Sequence, residues 1–432
     1  MFKKKAFILS SALLLGLAGC STAEKEEGSS SGSGGGSGDQ VTVDIFQFKV
    51  EFKEQFEELA AQYEEENPDV NVEVQTLGGG NDYSQALKTK FSSGEEPTIF
   101  NIGGPVDVEQ YQERLVNLKD SEAASKALKG TLAGVTKGEE VLGLPFNQEG
   151  YGLIYNKELF KQAGVDPTSI KTMEDLTKAV ETLDSKKEEL QIDAVFALAG
   201  KEKWVTGNHA SNLFLAPEFN NDVMAAYEGK TVNFDNSDAF KEYLDLQNKY
   251  SVQPTVSLDY SQQVEELFST GRVAMIQQGN WIYSTVEQMD PELAEKGMGI
   301  LPIPVGKEMK MPVGVPYYWA VNKNADEEVQ QAAKEFLDWM YTSDTGKEAV
   351  LTQFKFIPAY EGYDTEKISD PISKEIYKYA KEGNTTGWVF QSYPVGWGEG
   401  VLGANIQKYL AGEASWEEIV KASQDEWAKA RQ

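Results

Sequence analysis

The chain has 432 residues, 40 basic and 69 acidic, a formal net charge of −29, one cysteine and one histidine. A surface this acidic repels nucleic acid and anionic lipid headgroups, and a lone cysteine permits no internal disulfide. One histidine supplies no His- or Cys-rich metal site, and three arginines (Arg114, Arg272, Arg431) are too few for a pocket that clamps phosphate or carboxylate bidentately.

In chain order, Met1–Lys5 carries three lysines, Ala6–Ala18 is a 13-residue run of mostly small and aliphatic residues, and Leu17-Ala18-Gly19-Cys20 closes it. These are the parts of a secretory signal, and the run is well short of the ~20 residues of a membrane-crossing helix. Leu-Ala-Gly-Cys resembles the lipobox of bacterial lipoproteins. The resemblance implies that residues 1–19 are removed and that Cys20 is acylated, anchoring the chain to a membrane. Residues 20–40 include Gly28–Gly38, made only of glycine and serine, and read as a flexible linker. The Gly-x-Ser-x-Gly pattern at Gly28–Gly32 lacks the flanking strand and helix of a nucleophile elbow.

The stretch Val41–Gln432 is long enough for two domains with cores of their own. Val41, Val43 and Ile45 alternate as in a strand. Phe52, Phe56, Leu59 and Tyr63 fall at helical spacing before Pro68, and Val70, Val72 and Val74 alternate again. Strand, helix, strand at this spacing is a βαβ unit and predicts a parallel sheet. A Gly78-Gly79-Gly80 turn, a helix around Tyr83–Phe91 and a buried strand at Thr98–Ile102 continue it. Loops at the carboxyl ends of such strands form pockets, which places Gln47 and Phe48, Gly79 to Asp82, and Asn101 to Asp107 along one rim. Further on, Leu153–Asn156 and Ala194–Leu198 read as strands and Met173–Glu189 as a helix. Helices follow at Phe240–Tyr250 and Val264–Phe268. Val273–Ile276 is a strand ending in Gln278-Gly279-Asn280-Trp281, and Val329, Ala333, Phe336, Leu337 and Met340 mark another helix.

Signals for catalysis are missing. Any Ser-His-Asp triad would have to use His209, and no phosphate-cradling or dinucleotide-binding glycine motif occurs. The expectation is a protein without enzymatic activity, cofactor or metal. A glycosidase needs only two carboxylates across a cleft, so that class stays open on sequence grounds.

The run Leu144-Pro145-Phe146-Asn147-Gln148-Glu149-Gly150-Tyr151-Gly152-Leu153-Ile154-Tyr155-Asn156-Lys157 resembles the first interlobe crossing of extracellular solute-binding protein family 1. This family holds the maltodextrin- and multiple-sugar-binding receptors of bacterial ABC importers. Glu95–Phe100, Phe268-x-x-Gly271-Arg272-Val273-Ala274-Met275, Gly279-Asn280-Trp281, Pro312–Val315, Ala333–Leu337 and Gly346–Val350 resemble further family segments in the same order. The resemblance implies an α/β fold of two lobes joined by three crossings, near Asn147–Tyr151, Pro312–Tyr317 and Phe356–Tyr360, with sugar held in the cleft between them. Lobe one would comprise 41–148 plus 317–355, and lobe two 150–314 plus 357–432.

Carried over residue by residue, Glu149 matches a carboxylate that bonds sugar hydroxyls, and Asp107 resembles another. Trp204 and Trp281 match stacking aromatics, with Asn280 replacing a proline, and Trp397 lies near a third stacking position. Gln47, Asn101, Gln148, His209, Tyr317 and Tyr318 complete the expected ligand-binding set. Other readings are core packing for Trp204 and Trp397, a helix cap for Asp107 and an ordinary loop position for His209. The chemistry suits a neutral sugar: pyranose C–H faces lie on aromatic rings, and Asp, Glu, Asn and Gln fix hydroxyls. The implied partners are a carbohydrate and the permease subunits of an ABC importer, for a monomer lipid-anchored outside the cytoplasm. A receptor for a non-sugar solute and a surface-anchored glycosidase are the alternatives.

Overall fold

The structure, a computed structural model, describes residues 40–77, 83–306 and 309–432. The signal segment, Cys20, the Gly/Ser stretch and the Gly79–Asp82 part of the expected rim lie outside these residues. The chain begins with β1 (Val41–Gln47), α1 (Lys53–Glu66), β2 (Val70–Thr76), α2 (Tyr83–Ser93), β3 (Ile99–Ile102), α3 (Pro105–Tyr111) and β4 (Leu144–Pro145). Next come β5 (Glu149–Asn156), α4 (Met173–Ser185), β6 (Ala194–Phe196), α5 (Ser237–Lys249), β7 (Val273–Gly279), α6 (Tyr283–Met289), β8 (Met298–Leu301) and β9 (Met311–Gly314). β10 (Tyr318–Val321), α7 (Glu327–Thr342), α8 (Pro371–Lys381), β11 (Thr385–Thr386) and α9 (Trp416–Ala430) follow.

Among the described residues two large sheets result, one in each lobe, beside a small antiparallel pair, Thr136–Lys137 with Glu140–Val141. The first has the order β2-β1-β3-β10-β4, with β1, β2 and β3 parallel as the βαβ pattern predicts, and β10 antiparallel to its neighbours. The period of two along a strand divides its side chains between two cores. Val43 and Ile45 pack with Phe56, Leu59, Phe336 and Leu337 of α1 and α7, whereas Phe46 packs with Leu87 and Tyr111 on the other face.

The second sheet has the order β11-β9-β5-β7-β6, with β8 also paired to β5. It is mixed, because β5 runs antiparallel to β7, β8 and β9 while β6 and β7 are parallel. The reason is geometric: a strand that enters a lobe at a crossing starts where the βα-type strands end, so it must run against them. Both β5 and β10 obey this. Helix α4 starts on a capping box, Thr172 with Asp175, and buries Met173, Leu176, Ala179, Val180 and Leu183 at helical spacing. It stops at Ser185, short of the predicted Glu189. There Lys186 leaves helical geometry with Nζ on the Ala163 carbonyl (2.8 Å), and a separate turn, Lys187–Leu190, buries Leu190. The predicted helix at Val264–Phe268 is a wide-turned π segment, Gln262–Phe268.

Three chain passages join the lobes and bond to one another. The Phe146 amide donates to Tyr317 O (2.9 Å) and the Gln148 amide to Ile357 O (2.8 Å). Gln148 Nε2 also donates to Pro358 O (2.8 Å). Ala359 and Tyr360 then pack in the first core, and the chain has re-entered the second by Ile372 and Ile376 of α8.

Candidate functional site

A cleft of about 2140 Å³ opens beside these passages, and both lobes line it. The first lobe contributes Phe48, just beyond β1, Asp107 in the first turn of α3, Tyr83 at the start of α2, and Tyr317 just before β10. Phe48 and Tyr317 lie with ring centroids 4.1 Å apart, and Tyr83 meets Phe48 edge-on at 5.9 Å. Tyr83 is locked: its hydroxyl donates to Phe46 O and accepts from the Asn101 amide, each at 2.8 Å. The Asp107 carboxylate accepts the Gly103 amide at 2.7 Å. Burial pushes the Asp107 carboxyl up, against the opposing pull of that amide and of Lys88.

The second lobe faces it with Trp204, His209, Tyr260, Trp281, Trp388 and Phe390. His209 stacks flat on Tyr151 (4.4 Å, 10°) and meets Trp204 edge-on (5.1 Å, 77°), with Trp281, Phe390 and Trp388 within 5.7 Å. Among so many rings the charged imidazolium is poorly solvated, and Lys49 adds repulsion. The His209 pKa is pushed down to about 3, so the ring is neutral at physiological pH.

His209 sits in a π segment, Val205–Ala210, laid directly on a second one, Trp397–Gly403. A Cβ on Gly207 would lie 2.0 Å from Gly398 O, so the two backbones can approach only through glycine. Gly279 plays the same part for Trp281: a Cβ there would lie 2.1 Å from Trp281 Cζ3, so the indole rests on bare backbone at the end of β7. The indole N–H donates to Gln278 Oε1 (2.8 Å), which fixes the ring in its plane.

Between the walls, Lys49 from the first lobe meets Glu149 from the second, Nζ to Oε1 at 2.5 Å, both side chains buried. Glu51 lies 3.4 Å from the same ammonium. Burial disfavours the charged lysine, but the two carboxylates outweigh it and hold its pKa above the ordinary value.

Of the expected site residues, Asp107, Glu149, Trp204, His209, Trp281 and Tyr317 line the cleft together. Six do not. Gln47 points back toward β2, donating to Thr76 Oγ1 (2.6 Å) and clamping Lys49 through its amide and carbonyl. Asn101 is buried in the sheet. Gln148 holds the third passage. Asn280 lies beneath the floor, accepting the Gly150 amide (3.1 Å) and donating to Ser373 Oγ (3.0 Å). Tyr318 shares the core face of Ala320. Trp397 is 1% exposed, edge-on to Trp427 at 4.8 Å, with its N–H on Ser423 O (2.8 Å). It packs the core, the other reading offered by the sequence.

Sequence reasoning missed Lys49, Tyr83, Tyr260, Trp388 and Phe390. Lys49 sits next to the strand end that placed Phe48 on the rim, and Trp388 and Phe390 follow β11 just as Trp281 follows β7; these were the available signals. Among the described residues no group of acidic, histidine or cysteine side chains is arranged to hold a metal, and no helix is long and apolar enough to cross a membrane. The large apolar side chains that stand most exposed, Val50, Met289 and Val395, all lie on the cleft lining.

The family model of bacterial extracellular solute-binding proteins matches residues 49–347. The melibiose/raffinose/stachyose-binding protein MelE of Bacillus subtilis (strain 168) is 25% identical over 395 residues, 87% of this chain and 88% of that protein. Among solved structures, a chitin oligosaccharide binding protein superposes with a TM-score of 0.75 at 23% identity, covering 91% of this chain and 100% of that one. The solute-binding protein RafE in complex with raffinose gives 0.73 at 18% identity over the same shares.

Proposed function

Because this chain belongs to the family of bacterial extracellular solute-binding proteins, we propose that it captures a neutral oligosaccharide in the cleft and delivers it to the permease of an ABC importer. The observation that carries the reading is the pair of aromatic walls, Phe48, Tyr83 and Tyr317 facing Trp204, His209, Trp281, Trp388 and Phe390, with the buried Glu149 carboxylate between them. Rings on both sides suit the two C–H faces of pyranose units, and a carboxylate accepts hydroxyl protons more strongly than a neutral acceptor. The cleft is larger than the 300–1,000 Å³ of ordinary small-molecule pockets, which supports more than one sugar ring. The ligands named for MelE and for the RafE complex support the same class.

In this reading Asp107 and Glu149 accept hydroxyls, while Trp204, His209, Trp281 and Tyr317 stack. Gln47, Gln148 and Asn280 act from behind, through Lys49, the third passage and the Gly150 amide. The lobes, 41–148 with 317–355 and 150–314 with 357–432 except for Ala359 and Tyr360, which pack in the first core, close on the sugar about the three passages because the closed state makes contacts with ligand that the open state lacks. Cys20, acylated, tethers a monomeric receptor outside the cytoplasm, and the linker keeps it near its permease. The protein binds and does not hydrolyse.

A thermal-shift panel tests this: raffinose, stachyose, maltotriose and chitotriose against peptides, polyamines and glycerophosphodiesters, with bound sugar checked for cleavage. At least one oligosaccharide raises the melting temperature and is recovered intact. Stabilisation by a non-sugar class alone, or release of cleaved sugar, would reject the reading.

A further inference from the structure

The Lys49–Glu149 pair joins two lobes, is buried, and has both ends held by independent clamps. Gln47 accepts the Lys49 amide (2.6 Å) and donates to the Lys49 carbonyl (3.2 Å), fixing the backbone from which the lysine reaches. Glu149 opens β5, and the next amide, Gly150, is held by Asn280 (3.1 Å). The Phe48 ring lies 5.5 Å from the ammonium and screens it from the cleft on one side. The ammonium occupies Glu149 Oε1, shared with Asn147 Nδ2 at 3.4 Å. Among the described residues no hydrogen bond goes to Oε2.

We propose that Lys49 is a specificity-determining residue of the cleft, holding a buried cation against Glu149 so that the floor accepts uncharged sugar hydroxyls and rejects ligands that carry an amine. The inference rests on the functional reading above and deepens it. The charge of the whole molecule makes the rejection necessary: a net charge of −29 draws small cations toward the surface. That attraction is screened within about 10 Å at ordinary salt, so selection must be exercised locally. Glu51, the second carboxylate on this ammonium, is partly exposed and screened by water, so in the desolvated floor the charge that a ligand ammonium beside Glu149 Oε2 meets is that of Lys49, and like charges there exclude a partner strongly. A hydroxyl donates its proton to Oε2 and meets no such penalty. Lysine therefore cancels the carboxylate's attraction for cations while leaving Oε2 to accept a hydroxyl. That does not follow from filling space, since methionine fills similar volume.

The test is calorimetric titration of the intact receptor with the tightest of raffinose, stachyose, maltotriose and chitotriose. The same sugar bearing a primary amine in place of one hydroxyl, and spermidine, serve as the charged probes. The proteins are wild type, Lys49→Arg, Lys49→Met and Lys49→Met/Glu149→Gln. Wild type should favour the neutral sugar over its amine form by about a hundredfold. Lys49→Met should bind the neutral sugar at least tenfold more weakly, bind the amine form more tightly than wild type does, and take up spermidine. Lys49→Arg should restore the wild-type preference. The double variant, which removes both buried charges and leaves only the partly exposed Glu51 without its partner, and so folds even if the single variant does not, should show a preference near parity. A purely structural lysine would weaken both sugars together and leave their ratio unchanged, and that result overturns the inference alone. Wild type that binds none of the four sugars overturns the functional reading, and this inference with it.

Discussion

Substituting Gly279 by alanine perturbs the cleft without replacing any side chain proposed to contact ligand. The new Cβ would lie 2.1 Å from Trp281 Cζ3, 2.4 Å from Cη2 and 2.5 Å from Gly150 O. Carbon atoms rest at 3.5–4.0 Å, so the indole must lift by about 1.5 Å, breaking its bond to Gln278 or tilting into the cleft. Overpacking of this size costs about 1–3 kcal/mol of stability. Displacing a stacking ring forfeits a further ~0.5–1.5 kcal/mol of binding beyond contact area. The expectation is a Kd for oligosaccharide raised roughly three- to tenfold, with a lowered melting temperature. Calorimetric titration of Gly279→Ala, Trp281→Ala and the double variant separates the causes. If the glycine acts through the ring, Gly279→Ala adds little once Trp281 is gone, so the two effects on Kd are strongly non-additive. Full additivity, or an unchanged Kd in Gly279→Ala, would refute the reasoning.

Other consequences are as direct. The folded-state pKa of His209, about 3, lies below its ordinary 6.5, so the unfolded chain takes up a proton that the folded one refuses. Its contribution to stability is therefore complete above pH 6.5 and falls toward pH 3, by at most about 1.4 kcal/mol per pH unit, less because the ring edge meets the cleft. His209→Gln should show a shallower loss of stability between pH 6.5 and 4.5 in urea titrations; equal slopes would contradict the burial argument. Trp397→Ala should cost about 3–5 kcal/mol by denaturant unfolding, while its folded fraction binds sugar as wild type does. A large change in Kd without loss of stability would return Trp397 to the ligand. Cys20→Ser should abolish incorporation of labelled palmitate and move the protein from the membrane to the soluble fraction; continued membrane retention would reject the anchor.

The outline of the fold was legible because it is written locally. Alternation in Val41–Ile45 and Val70–Val74, and the spacing of Phe56, Leu59 and Tyr63, depend on residues a few positions apart. The run from Leu144 to Lys157 likewise carries a crossing and a strand in one stretch. What escaped depends on partners far along the chain. Lys49 in Phe-Lys-Val-Glu-Phe reads as a solvated lysine, and only Glu149, a hundred positions on, makes its burial tolerable. Gln47 and Tyr318 sit at strand ends near the cleft, yet the pleat turns them to the sheet faces of Ile45 and Ala320. The π segments at 205–210 and 397–403 have no signature in hydrophobic spacing. They exist because Gly207, Gly398 and Gly403 let two backbones touch, and that contact is what aims His209 at the cleft and buries Trp397.

The cleft is expected to take a neutral oligosaccharide. Calorimetric titration of the purified receptor with raffinose and stachyose, alongside Trp281→Ala, tests it most directly. One-to-one binding is expected, with Kd near micromolar, about −8 kcal/mol, weakened at least tenfold in the variant. No heat from either sugar, nor from maltotriose or chitotriose, would contradict it.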